Sequence, residues 1–118
     1  MGTRFLLTSD SPVPEDVKRV YLAAGLDGTV VTRRVDGVPH RVLRTTMVDQ
    51  LEEQGRVLMA ANTPVLLRAA MVDGRTDLGL MSSGQVAGLI DDLPSCAELI
   101  ESIMAEAGHT LDRLRRVR

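Results

Sequence analysis

Met1-Gly2-Thr3-Arg4-Phe5-Leu6-Leu7-Thr8 opens the chain, and its reading decides the fold. Phe5, Leu6 and Leu7 form an unbroken apolar run, the pattern of a strand covered on both faces. Arg4 to Thr8 is therefore expected to be a short strand, with Met1, Gly2 and Thr3 as a loop joined to it. A phosphate needs converging backbone N–H donors and no side chain in the way, and a glycine followed by a hydroxyl residue beside a strand meets that need. Taken alone, the Gly-Thr pair reads more simply as an ordinary chain start with a frayed end.

Outward from this stretch, Thr8 to Pro14 reads as a loop, and a helix is expected from about Pro14 to Ala24, stopping at Gly25. Pro14 suits the first helical position, Glu15 and Asp16 complement the helix N-terminus, and Val17, Val20, Tyr21 and Ala24 share one face. Thr29 to Arg33 and His40 to Arg44 read as two strands of a β-hairpin, with Asp36-Gly37 favouring the reversal and the second strand lying at an edge or beginning after Pro39. Thr46 to about Gln54 is expected to be a short helix with Met47, Val48 and Leu51 as its apolar side, interrupted by Gly55. After the apolar run Val57 to Ala61, Thr63 is expected to cap a helix that starts at Pro64 and ends near Val72, before Asp73-Gly74. Its buried face combines Leu66 or Leu67 with Ala70 and Met71.

Leu78 to Ile90 contains Gly79, Gly84 and Gly88, too many for a regular element and suited to a backbone that passes close to something. Within it stands Ser83-Gly84-Gln85, where Gly84 admits a close approach and the Gln85 amide both donates and accepts. On these residues alone, a glycine-rich loop with a surface amide is the plainer reading. The last helix follows Leu93-Pro94 and carries a capping box, Ser95 with Glu98. Its apolar stripe is Ala97, Ile100, Ile103, Met104, Ala107, Leu111 and Leu114, with acids early and arginines late, as the helix dipole favours.

Composition narrows the function classes. The 118 residues are 44% hydrophobic and 25% charged with a net charge of −2, the range of an ordinary globular domain. Phe5 and Tyr21 are the only aromatic residues, which argues against a stacking platform for nucleic acid. The arginines from Arg113 to Arg118 read as a solvated helix end. Cys96 stands alone, so it forms no internal disulfide and reads as a small packing residue, and a cytoplasmic location is expected. No apolar run is long enough for a membrane span. One cysteine and two distant histidines give no metal set. Asp91-Asp92 are adjacent only in sequence and do not face one ligand. His40 and His109 read as surface or half-buried residues. No Ser/His/Asp set, Walker loop or dinucleotide fingerprint can be assembled, so no catalytic residue is assigned.

In order and character, Met1-Gly2-Thr3 and Ser83-Gly84-Gln85 with Ala87-Gly88 resemble two motifs of the nitronate monooxygenase family, formerly called 2-nitropropane dioxygenases. These are the Met-Gly-Thr step after the eighth barrel strand and the Ala/Ser-Gly-Gln-x-x-Gly segment that closes over the barrel mouth. The resemblance implies that Met1, Gly2 and Thr3 contact the FMN phosphate and that Ser83, Gly84 and Gln85 lie near the flavin. The fold it implies is α/β, a C-terminal fragment of an FMN-binding (β/α)₈ TIM barrel with a β-hairpin and flanking helices. A whole barrel needs roughly 200 residues or more, so the chain is expected to be one partial domain. Its parts are a barrel end over 1–28, a hairpin over 29–45, helices and a glycine-rich loop over 46–92, and a helix over 93–118. Family members of the actinobacterial type carry a further helical segment between the regions resembling Val42 to Leu51 and Val57 to Pro64. Here Glu52 to Arg56 joins them directly, as an internal deletion would.

The activity implied by the resemblance is FMN-dependent oxidation of alkyl nitronates with oxygen, on a small-molecule substrate. Some relatives resemble flavin-dependent reductases acting on acyl-CoA compounds instead. The family's catalytic base is a histidine on an earlier strand loop, and neither His40 nor His109 lies in a matching motif, so the isolated chain is expected to be inactive. The alternative is a non-catalytic remnant that dimerises, or complements another chain, through exposed apolar faces.

Overall fold

The computed structural model describes residues 1–58 and 62–117. Along these residues run α1 (Gly2–Leu6), α2 (Glu15–Leu22), β1 (Thr29–Thr32), β2 (His40–Leu43), α3 (Thr46–Gln54), α4 (Thr63–Met71) and α5 (Cys96–Arg115), with a 3₁₀ turn, Gln85–Leu89, before α5. Part of the apolar run Val57 to Ala61, and Arg118 of the arginine cluster, lie outside the described residues.

The opening stretch is helical, which corrects the expected strand over Arg4 to Thr8. A strand buried on both faces needs neighbours at both edges, and the described residues hold only the two-stranded sheet β1–β2. The opening run instead satisfies its amides locally: the Phe5 N–H donates to the Met1 carbonyl at 3.3 Å and the Leu7 N–H to the Thr3 carbonyl at 3.2 Å. A short continuous apolar run fits a buried strand or a helical turn equally by pattern, and the local amide bonds make it a helix here. Leu7 and Thr8 are still buried.

α2 begins one residue later than expected, with Pro14 at the cap position and its carbonyl accepting from Val17 and Lys18. Val17 and Tyr21 are fully buried, and Val20 and Ala24 pack beside them, as the spacing requires. Lys18 is also buried, a placement its polarity did not suggest, with Nζ 3.2 Å from Glu15 Oε1. The hairpin pairs antiparallel from Thr29↔Leu43 to Thr32↔His40, and β2 starts directly after Pro39. Its connection is wider than a tight reversal. Val35 turns inward and is buried, Gly37 takes a φ of +87°, and Asp36 Oδ1 accepts the Val38 N–H at 2.9 Å.

α3 has the bounds expected of it, with the Thr45 hydroxyl accepting the Val48 N–H and Gly55 closing the helix at a φ of +63°. α4 is shifted: Asn62 stands at the cap position with no side-chain bond, and Thr63 is the first helical residue. Thr63 therefore does not cap. The backbone at Asn62 is already helical, so the Thr63 hydroxyl lies inside the first turn, where it has no partner among the described residues.

Two apolar clusters hold these elements together. One gathers Leu7, Val17, Tyr21, Leu43, Ala70, Met81, Ala87 and Ile90, and the other Val35, Val42, Val48 and Leu80. Val42–Leu43 and Leu80–Met81 each send one residue to either cluster, as alternation along extended backbone dictates. These segments lie side by side. The Leu43 N–H donates to the Met81 carbonyl at 2.8 Å and the Ser83 N–H to the Arg41 carbonyl at 3.1 Å, so residues 81–83 run alongside β2 through an isolated bridge at Ser82.

Candidate functional site

The two stretches singled out in the sequence meet in space. The Gly84 N–H donates to the Thr3 hydroxyl oxygen at 2.7 Å, a bond between residues 81 positions apart. Gly84 suits this contact because a Cβ there would stand 3.3 Å from Thr3 Oγ1. Thr3 lies in the first turn of α1, where backbone N–H groups have no intrahelical acceptor. Because its oxygen accepts from Gly84, the Thr3 hydroxyl proton is free to donate elsewhere. A Cβ added to Gly2 would meet nothing within 4 Å, so the backbone there faces open space.

Three consecutive loop residues are each tied to a different element. The Tyr21 hydroxyl donates to the Ser82 carbonyl, the Ser83 N–H is held by Arg41 of β2, and the Gly84 N–H is held by Thr3 of α1. Tyr21 is fully buried, and burial pushes its phenol up to about 12, so it remains a donor across the physiological range. The loop is thereby fixed before any ligand arrives, the condition for precise placement of a binding group.

The other candidate residues sit differently. The Ser83 hydroxyl turns back onto the Gly84 carbonyl at 2.9 Å and its residue is buried, so its side chain serves the loop. Gln85 opens the 3₁₀ turn with its residue exposed, and Met1 stands exposed at the edge of α1. The glycines of this region do pass close to something, and at Gly79 and Gly88, as at Gly84, the neighbour is protein. A Cβ on Gly88 would fall 2.6 Å from the Gly25 carbonyl oxygen, and one on Gly79 would fall 2.1 Å from the Ala70 Cβ.

Arg4 is a contributor the sequence reading passed over. Its Nη1 lies 2.7 Å from Asp92 Oδ1, and its Nη2 donates to the carbonyls of Leu7 and Asp92, clamping α1 against the segment that leads into α5. Asp92 thus serves a distant arginine. No local pattern announces a pair so far apart in sequence. Beyond this clamp, Met1, Arg4, Val86, Leu99 and Ile103 help line an open groove of about 690 Å³ between α1 and α5. His40 is engaged by Asp36 at 2.9 Å in the hairpin loop, and His109 is exposed on α5. Among the described residues no helix is long and apolar enough to cross a membrane.

The chain belongs to the nitronate monooxygenase family, whose model matches residues 1–106, and its fold is a piece of that family's (β/α)₈ barrel with a hairpin and flanking helices. It is 52% identical over 149 residues to a (3aS,4S,5R,7aS)-5-hydroxy-7a-methyl-1-oxo-octahydro-1H-indene-4-carboxyl-CoA dehydrogenase of Mycobacterium tuberculosis, a match covering 91% of this chain and 42% of the relative. A protein of the same description from Rhodococcus jostii is 41% identical over 160 residues, covering 100% of this chain and 45% of the relative. FabK from Thermotoga maritima superposes with a TM-score of 0.85 at 34% identity, covering 100% of this chain and 39% of FabK. The chain therefore spans less than half the length of these proteins. The Rhodococcus match runs over 160 positions against the 118 residues of this chain, so the relative carries residues inside the match that have no counterpart here.

Proposed function

We propose that this chain forms the phosphate-side wall of an FMN site in a flavin-dependent oxidoreductase acting on acyl-CoA compounds. The Thr3–Gly84 bond carries the reading: it joins the two stretches a phosphate wall requires and leaves the Thr3 hydroxyl proton for an incoming anion. The residues present fit the group. Gly2 offers open backbone, Thr3 a positioned hydroxyl, and Gln85 an exposed amide beside the fixed loop. When bound, FMN supplies the two-electron oxidation and reduction. The chain's own residues bind and orient; Met1, Gly2 and Thr3 take the phosphate end, and Gly84 and Gln85 take the neighbouring edge. Ser83 supports the loop that presents them. No residue of this chain is given the proton-transfer step.

The acyl-CoA class is favoured over nitronates because both relatives quoted are described as carboxyl-CoA dehydrogenases. The test is a chimera in which this chain replaces the matching part of the Mycobacterium tuberculosis relative. It is expected to purify with bound flavin and to turn over an acyl-CoA substrate, whereas the 118-residue chain by itself is expected to release FMN on desalting and to show no turnover. Turnover of alkyl nitronates but not of acyl-CoA compounds by the chimera would return the reading to the family's namesake activity.

A further inference from the structure

α5 carries an apolar face that the described residues leave uncovered. Its body side is Leu99, which is buried, and half-buried Ile103. A different face holds Ala97, Ile100, Met104, Ala107, Leu111 and Leu114, and the four large residues among them are 51%, 67%, 56% and 59% exposed. Their separations are three, four, three, four and three residues, the alternation of a two-stranded coiled-coil seam sustained from one end of the helix to the other. A helix that merely packs on a globular core shows a broader stripe. The radius of gyration is 16.9 Å, against about 13 Å for a compact chain of roughly this length, as befits a helix extending beyond the body.

We propose that this face pairs with α5 of a second copy of the chain, antiparallel, about a twofold axis between Ala105 and Glu106. That axis sets Ala97 against Leu114 of the second copy, Ile100 against Leu111, and Met104 against Ala107, so a small residue faces a large one in two of the three distinct layers. It also sets Glu101 beside Arg115 of the second copy, twice by symmetry. Among the described residues Arg115 pairs with the exposed Asp112, at 3.6 Å. Antiparallel packing also brings the acidic start of each helix to the basic end of the other and opposes the two helix dipoles. A parallel pair would place Ile103 beside Gly108 and Thr110 beside Arg115, with no opposite charges facing. The pairing uses none of the residues assigned to the flavin wall, so it stands or falls independently of that reading.

The experiment is sedimentation equilibrium of the full 118-residue chain, with circular dichroism as the folding control. A reversible dimer of twice 12.8 kDa is expected. Leu111→Glu and Met104→Glu, both at exposed positions, should weaken it at least tenfold without changing the spectrum. Glu101→Arg should weaken it as well, and adding Arg115→Glu should restore it. In a Cys96→Ser background, an equimolar mixture of Ile100→Cys and Leu111→Cys chains should form a mixed intermolecular disulfide on mild oxidation, since the axis sets these two positions against each other. A chain that stays monomeric overturns the proposal, as does association indifferent to Leu111→Glu. A charge exchange that fails to restore the dimer, or Ile100→Cys and Leu111→Cys chains that do not cross-link, overturn the antiparallel arrangement.

Discussion

Replacing Thr3 by Val removes one hydroxyl while keeping the side chain's shape, and the structure says what that hydroxyl holds. The Gly84 N–H loses its acceptor at 2.7 Å. It cannot readily turn to another, because Tyr21 holds the carbonyl of Ser82 and Arg41 holds the amide of Ser83. A buried donor left unpaired costs about 1–3 kcal/mol. Thr3 and Gly84 are half-buried, so water reaches the site in part and the lower half of that range, about 1–2 kcal/mol, is expected. For a chain of this size the loss corresponds to a fall in Tm of about 4–8 °C. Urea unfolding followed by far-ultraviolet circular dichroism measures the stability, and amide hydrogen exchange at Gly84 locates it. Exchange there should speed up about tenfold, while Thr3→Ser, which keeps the acceptor, should behave as the unsubstituted chain. A Thr3→Val chain within about 0.5 kcal/mol of the original, with unchanged exchange at Gly84, would refute the claim that this bond joins the two stretches.

Gly88→Ala should destabilise by about 1–3 kcal/mol, since the new methyl meets the Gly25 carbonyl and the Leu26 backbone, which must move; chemical unfolding checks it. Acid should loosen the hairpin. The Val38 N–H, aided by His40, holds Asp36 below the usual carboxylate range, and the Thr32 hydroxyl, aided by Arg34, does the same for Glu52. With folded values below the unfolded ones of about 4, both groups stabilise the chain above that pH, and the contribution is lost as pH falls through their folded values. Thermal unfolding between neutral pH and pH 3 should show the loss, and Asp36→Asn should flatten part of it.

Helix and hairpin positions were legible where local chemistry acts alone. Ser95 and Glu98 form the reciprocal capping bonds expected of them, with the Glu98 carboxylate accepting the Ser95 N–H at 2.8 Å, and Gly55 stops α3 through a left-handed backbone that glycine adopts freely. The opening strand was misread because a short apolar run carries no information about its partners, and the pairing that would make Phe5, Leu6 and Leu7 a strand depends on residues elsewhere. The same limit hid Arg4–Asp92 and Tyr21–Ser82, both of them bonds between distant segments. The glycines of the 79–88 region were legible as close approaches but not as approaches to what. Ala70 and Gly25 fill two of them, and the third meets Thr3. The candidate site was visible in sequence as two separate motifs, while the bond that unites them was visible only in three dimensions.

The central claim is that Thr3 and its glycine loop form the phosphate side of a flavin site. It is tested most directly by comparing FMN and riboflavin binding to the chimera carrying this chain, with Thr3 and with Val in its place. Hydrogen bonds to a charged group contribute about 1.5–3 kcal/mol, so the chimera should prefer FMN to riboflavin, and Thr3→Val should erode that preference roughly tenfold or more while leaving riboflavin affinity unchanged. A preference for FMN that survives Thr3→Val intact would contradict the account.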